Sequence, residues 1–217
     1  MGAPLDEGSP LERRPEARGP YTRAKLEAEL LVRDAVEKRG LHAVILRPGQ
    51  IFGRKLPLVN AAFARRLGRY YVVLGDGTLR LPLVYIDDVV DAIIAAIDRR
   101  IVGGEIVQLV DESLPTQNEV LRRALGSRAN VLHVPRPVVF GLGWLSEIAL
   151  GLLQRESPLS RYRLRSALAR RTYRSDIAKG LLGWTPRTGV NAGIELTIRP
   201  DDVDAPTMPK EYAATPT

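Results

Sequence analysis

Apolar and polar positions along this chain switch repeatedly between two periods. In YTRAKLEAELLVRDAVEKRG, Tyr21 to Gly40, the apolar residues Leu26, Leu30, Leu31 and Val36 recur on one helical face, and Gly40 ends the run. HAVILRPG is instead a short unbroken apolar run, the pattern of a strand buried on both faces of a parallel sheet, and Pro48-Gly49 breaks it. A helix is predicted around Leu58 to Leu67, then a strand at YYVVLG and a turn at GDG. LRLPLVYI reads as extended, and DDVVDAIIAAIDRR as a helix opened by Asp87 and Asp88, carboxylates suited to its positive end. EIVQLV is a further strand, TQNEVLRRAL a helix capped by Thr116, and NVLHV a short strand. Beyond Pro135 the pattern is mostly helical, and LGWTPRTGVNAGIELTI closes it as a turn leading into a last helix.

Strands alternating with helices predict an α/β class with parallel strands, followed by a more helical portion. The expected divisions are a loop over residues 1–20, which carry four prolines, an α/β body over 21–134, a helical portion over 135–200 and a flexible tail over 201–217. The run VVFGLGWLSEIALGLL, Val138 to Leu153, is too short to cross a bilayer and carries Glu147. It reads as a buried or amphipathic helix, with a membrane-surface contact as the second reading.

Composition narrows the chemistry. With 217 residues, 45% hydrophobic and 26% charged, the chain has the make-up of a soluble globular protein. It contains no cysteine, which removes disulfides, thiolate metal sites and cysteine nucleophiles together. Its two histidines, His42 and His133, lie far apart in sequence, so no histidine-based metal site is expected. The net charge of +7 comes from arginines scattered among the helices, without an RNA-binding signature, and no nucleic-acid partner is expected. The opening MGAPLDEGSPLERRPEARGP lacks the apolar core of a signal peptide, so a cytoplasmic location is expected.

One pair of residues suggests catalysis. A phenol is a poor acid or base at neutral pH, and a nearby ammonium favours its ionised form. Tyr21 and Lys25 stand four residues apart on a predicted helix, on one face and one turn apart, which suits a tyrosine acid/base with a cationic helper. The same two residues also suit a tyrosine at a core edge beside a solvated lysine.

The surrounding stretch GPYTRAKLEAE resembles the active-site helix of the extended short-chain dehydrogenase/reductase family, which includes the NAD-dependent epimerases and dehydratases. VILRPGQIFG, LPLVYIDDVVDAI and LLGWTPRTGVNAGI are similar to later segments of that family, in the same order. The resemblance implies the C-terminal part of a Rossmann-type doubly wound parallel sheet over 21–134, with interleaved substrate-domain segments, and a mostly helical substrate-binding portion over 135–200. It implies NAD or NADP as cofactor, Tyr21 as acid/base, and Lys25 as its electrostatic and ribose-binding partner. Pro48, Gly49 and Ile51 would line the nicotinamide through backbone contacts, with the Gln50 amide facing the substrate. A tight turn after a strand explains Pro48-Gly49 equally well.

Two family features have no counterpart here. The glycine-rich turn that holds the pyrophosphate at a helix N-terminus belongs far upstream of the tyrosine, and only twenty residues precede Tyr21. The family's upstream serine or threonine is missing too, since Ser9 is too near and lies in a proline-rich stretch. The chain thus reads as the C-terminal part of such an enzyme, with an apolar strand edge to be met by a missing N-terminal half or a homodimer partner.

For the substrate, sugar-nucleotide members place a phosphate-binding arginine five residues before their valine-x-aspartate step. Leu81 holds that place and Arg80 is one residue earlier, so Arg80 is the candidate substrate contact with its register shifted. The apolar segment after Pro135 suggests a lid for a lipophilic, sterol-like alcohol. A nucleotide sugar and a lipophilic alcohol both stay open, as does a non-catalytic accessory protein that keeps the substrate-domain fold.

Overall fold

The structure is a computed structural model that describes residues 4–198 apart from 55, 57, 61–63, 128 and 153–156. In chain order the elements begin with α1 (Pro15–Arg18), α2 (Pro20–Arg39), β1 (Ala43–Pro48), β2 (Gln50–Phe52), β3 (Arg65–Leu67) and β4 (Tyr70–Leu74). Next come β5 (Leu83–Tyr85), α3 (Ile86–Asp98), β6 (Gly103–Leu109), α4 (Gln117–Leu125) and β7 (Asn130–Val134). Helices α5 (Arg136–Gly151), α6 (Arg161–Ala167) and α7 (Gly189–Thr197) complete it, with a π-helical turn at Ala178–Leu182 before α7.

Three strand groups form the sheet layers. β1 pairs in parallel with β6, β2 in parallel with β5, and β4 lies between antiparallel β3 and parallel β7. The α/β class with parallel strands is therefore as expected. α2 starts where Pro20 supplies a preset φ and no orphaned N–H, and the Gly40 N–H bonds back to the Val36 carbonyl at its end. α4 carries a full capping box between Thr116 and Glu119.

Two expectations are corrected. Leu58 to Leu67 is not a helix through its length. A helix-type bond joins Ala64 to Asn60, but Arg65–Leu67 is a strand, and 61–63 lie outside the described residues. The cause is Gly68, whose φ of 58° turns the chain straight back so that Arg65 to Leu67 pair with Tyr70 to Val72. Residues 1–20 are not simply a loop either, since Pro15–Arg18 forms a helical turn and Pro20 already belongs to α2. The segment before them is docked. Leu5 exchanges backbone bonds with Thr172 and Arg174, and Glu7 accepts the Gln108 N–H on the outer side of β6. The tail over 201–217 lies outside the described residues.

Two main apolar clusters fill the interior. Phe52, Leu83, Tyr85, Val120 and Ile194 belong to one, and Val84, Ala92, Val107, Leu109 and Trp184 to the other. α5 is amphipathic in an unusual sense. Val139 and Gly143 face inward, while Leu142, Trp144, Leu145 and Ile148 lie exposed. No helix among the described residues is long and apolar enough to cross a membrane.

The last helix is fastened by two aspartates. Asp88, fully buried, accepts the Thr188 and Gly189 N–H bonds at 2.9 and 3.0 Å, while Asp111 accepts Val190 N–H at 2.7 Å. Asp88 opens α3, yet its carboxylate serves the start of α7. Its own carbonyl also accepts the Trp184 indole N–H at 2.7 Å. Asp88→Ala would leave two donors unpaired and is expected to cost about 3 kcal/mol, roughly 6–12 °C in melting temperature. An unchanged thermal melt would contradict this account of how α7 is held.

Candidate active site

The chemistry collects where the first turns of α2 meet the end of β1. Tyr21 and Lys25 share one face of α2, and the Lys25 ammonium lies 5.9 Å from the Tyr21 ring centroid. Tyr21 is 76% exposed. Together with Pro48, Gly49, Gln50 and Ile51 these residues line one cavity of about 770 Å³. Six of the seven candidate residues are thus neighbours in space. Arg80 is not among them. Its guanidinium donates to the Leu114 carbonyl at 3.0 Å, and its backbone bridges Thr116.

The Pro48–Ile51 turn has a packing reason of its own. Gly49 donates its N–H to Leu109 and Gln50 donates to Pro82, stitching the chain between β6 and β5. A Cβ on Gly49 would stand 2.3 Å from the Pro82 carbonyl oxygen, so a side chain cannot fit there. Gln50 differs in that its side-chain Nε2 is buried and has no hydrogen-bond partner among the described residues. An amide donor buried without a partner is costly, and this one borders the cavity beside Tyr21. The donor, the two α2 side chains and the backbone wall fit a polar ligand lying along the β1 end, as a nicotinamide cofactor or its substrate would.

A charge network holds α2 to β1, and it was missed in the sequence. Glu29 accepts two bonds from Arg47, at 2.9 and 2.7 Å, and another from Arg33. Arg47, a charged residue inside an otherwise apolar strand, was the available signal. The Arg47 hydrogen bonds hold the Glu29 carboxyl below the usual carboxylate range, overcoming the upward push of burial. A depressed folded value means stability that is present above the ordinary carboxylate pKa and lost as pH falls through the folded one. Glu29→Gln is therefore expected to cost about 2 kcal/mol at neutral pH and progressively less in acid. Melts across the acid range check this, and an equal loss at every pH would contradict it.

Comparison with known proteins gives these features a context. The NAD dependent epimerase/dehydratase family matches residues 2–109. A 3beta-hydroxysteroid-dehydrogenase/decarboxylase of Arabidopsis thaliana is 28% identical over 201 residues, covering 85% of this chain and 46% of that protein. The decarboxylating sterol-4-alpha-carboxylate 3-dehydrogenase of Saccharomyces cerevisiae is 30% identical, covering 82% of this chain and 55% of that protein. The chain spans about half the length of the curated relatives it matches. Among solved structures, UDP-glucuronic acid 4-epimerase from Bacillus cereus, in complex with UDP-glucuronic acid and NAD, superposes with a TM-score of 0.61 at 18% identity. It covers 91% of this chain and 56% of that one. The structure of gox2253 superposes with a TM-score of 0.69 at 23% identity, covering 90% and 60%. At these identities the superpositions show the Rossmann-type fold alone.

Proposed function

We propose, for a chain that belongs to the NAD-dependent epimerase/dehydratase family, that it carries the acid/base helix and substrate-side portion of an oxidoreductase acting on a hydroxyl or carbonyl group. The observation that carries this reading is the meeting of Tyr21, Lys25 and the unpartnered Gln50 amide around one cavity. NAD or NADP, when bound, supplies the hydride acceptor or donor.

The chain's own residues do the rest. The Tyr21 hydroxyl takes the proton from a substrate hydroxyl during oxidation, or returns it during reduction. Lys25 sets a positive charge beside the phenolate and, by the family resemblance, binds the ribose hydroxyls. Pro48, Gly49 and Ile51 form the wall along the nicotinamide, and Gln50 donates its amide hydrogen toward the substrate. The cofactor's pyrophosphate is assigned to a glycine-turn half that pairs with the open edge of β1. The relatives' length and the one-sided pairing of β1 with β6 support that division.

For substrate, the reading favours a secondary alcohol on a lipophilic, sterol-like skeleton. Two relatives act by name on sterol or steroid alcohols, and Arg80 is turned to the Leu114 carbonyl. The test supplies the chain with a dinucleotide-binding half and follows NADH formation from a 3-hydroxysteroid 4-carboxylate and NAD. Turnover of UDP-glucose in its place would move the assignment to sugar nucleotides. No hydride transfer with either class would sink the oxidoreductase reading.

A further inference from the structure

Helix α5 turns toward solvent the kind of face that a helix ordinarily buries. Val138, Leu142, Trp144, Leu145 and Ile148 are exposed, and so is Leu152 just past its end. At about 100° per residue these positions fall within one half of the helix circumference, and Gly141 and Ala149 complete that face. No charged residue interrupts it. We propose that this face is a membrane-surface contact, which lays α5 in the plane of an anionic lipid interface. The helix rests on the bilayer and does not cross it, since no helix among the described residues is long and apolar enough to span one. The reading of Tyr21 as the acid/base plays no part in this.

The packing beneath fixes which way the face points. Val139 clusters with Leu164 and Leu168 on the inner side, where Gly143 is also buried. A Cβ on Gly143 would stand 2.6 Å from Leu164 Cδ1 and 2.8 Å from the Leu159 carbonyl oxygen. The 159–164 stretch therefore crosses α5 where no side chain fits. Beside that crossing, Glu147 accepts the Arg161 backbone N–H at 2.6 Å and its Nε–H at 2.7 Å. Rolling the apolar side inward would break both bonds and the close crossing together. α6 and the ends of β4 and β7 pack on the inner side, whereas the open edge of β1 lies beside α2.

Charge selects the occupant. Between Pro135 and Arg171 the sequence holds seven arginines and two glutamates, a surplus of five positive charges. α6, which packs beside α5, carries Arg161, Arg163 and Arg165 and no carboxylate. Cations around an uncharged apolar face match the negative surface of anionic lipid, and an exposed indole suits the same boundary. A second copy of the chain fits less well, because pairing two such faces would bring the arginine surpluses together. Helix α3 supplies the contrast. Val90, Ile93, Ile94 and Ile97 form another exposed apolar stripe, but α3 carries Asp87, Asp91 and Asp98 and no basic residue. Anionic lipid is repelled there, so apolar exposure alone does not make the contact. On α5 exposure and positive charge coincide.

Co-sedimentation of the chain with vesicles of equal parts phosphatidylserine and phosphatidylcholine tests the proposal, together with tryptophan emission. Of the two tryptophans Trp144 is 52% exposed and Trp184 4%, so a blue shift on adding vesicles reports Trp144 entering lipid. Binding is expected, weakened tenfold or more by joint Leu142→Gln and Leu145→Gln, and weaker on phosphatidylcholine alone or in high salt. Both leucines are more than half exposed, and circular dichroism verifies that the double variant stays folded. Joint Ile93→Gln and Ile97→Gln on α3 should leave vesicle affinity unchanged. Tyr21→Phe should leave it unchanged too, which separates this face from the acid/base assignment. Absence of vesicle binding, equal affinity for uncharged vesicles, undiminished binding by the α5 variant, or an equal loss with the α3 variant would overturn the proposal. So would a Trp144 shift that grows with protein concentration without lipid, which assigns the face to a second copy. Loss of vesicle binding when a dinucleotide-binding half is added would likewise overturn it and assign the face to that half.

Discussion

Replacing Tyr21 by phenylalanine is expected to lower turnover by about two to four orders of magnitude once the chain works with a dinucleotide-binding half. That corresponds to about 3–5 kcal/mol of lost transition-state stabilisation. The substitution removes one hydroxyl and nothing else. The ring stays near Lys25, and a residue 76% exposed contributes little to the core, so the melting temperature should hardly move. An activity loss with unchanged stability separates a chemical role from the alternative of a tyrosine at a core edge. Single-turnover kinetics with saturating NAD make the measurement, and full activity in the variant would sink the assignment of Tyr21.

By itself, the 217-residue chain is expected to self-associate or to bind a hydrophobic dye. β1 bonds to β6 on one side, and among the described residues no hydrogen bond reaches its other side. The contrast with β6 is informative. The outer side of β6 is closed by Glu7 on the Gln108 N–H, and just beyond it Ser175 closes the Val110 N–H at 3.1 Å. The N-terminal segment, which by its position in the chain had the chance to cover β1, is committed to β6 and the Thr172–Arg174 stretch instead. Arg47 gives β1 little protection as an edge strand, because its charge is tied to Glu29. Size-exclusion chromatography with light scattering decides the matter. A monodisperse, dye-negative monomer would show that the edge is not exposed, whereas a second copy or a glycine-turn half would each suppress dye binding by pairing with it.

Much of the architecture was legible because it depends on local rules. The α2 helix ends where Gly40 ends its pattern, Thr116 caps α4, and the AVIL run forms a parallel strand. The failure at Leu58 to Leu67 is equally local in origin. Apolar residues there fit a helix as well as a strand, and the positive φ of Gly68 settled the matter in favour of a hairpin. The pairing of Tyr21 with Lys25 was readable because i and i+4 meet on any helix.

What only the tertiary structure decided are the contacts between residues distant in sequence. Periodicity says which face of an element is apolar, but not which carboxylate will meet which distant backbone. Asp88 looked like an aid to α3 and proves to cap α7, a hundred residues on. Glu29 carries no signal of its own in the sequence, and in the fold it ties α2 to Arg47. Gly49 looked like a turn or a cofactor contact, and its first constraint is the Pro82 carbonyl, which occupies the space a Cβ would need. The scattered arginines of the sequence become a basic recess beside α2 only because the N-terminal segment docks against the C-terminal portion. Electrostatic and steric fit act over a few ångströms of space, whereas sequence patterns record only neighbours along the chain.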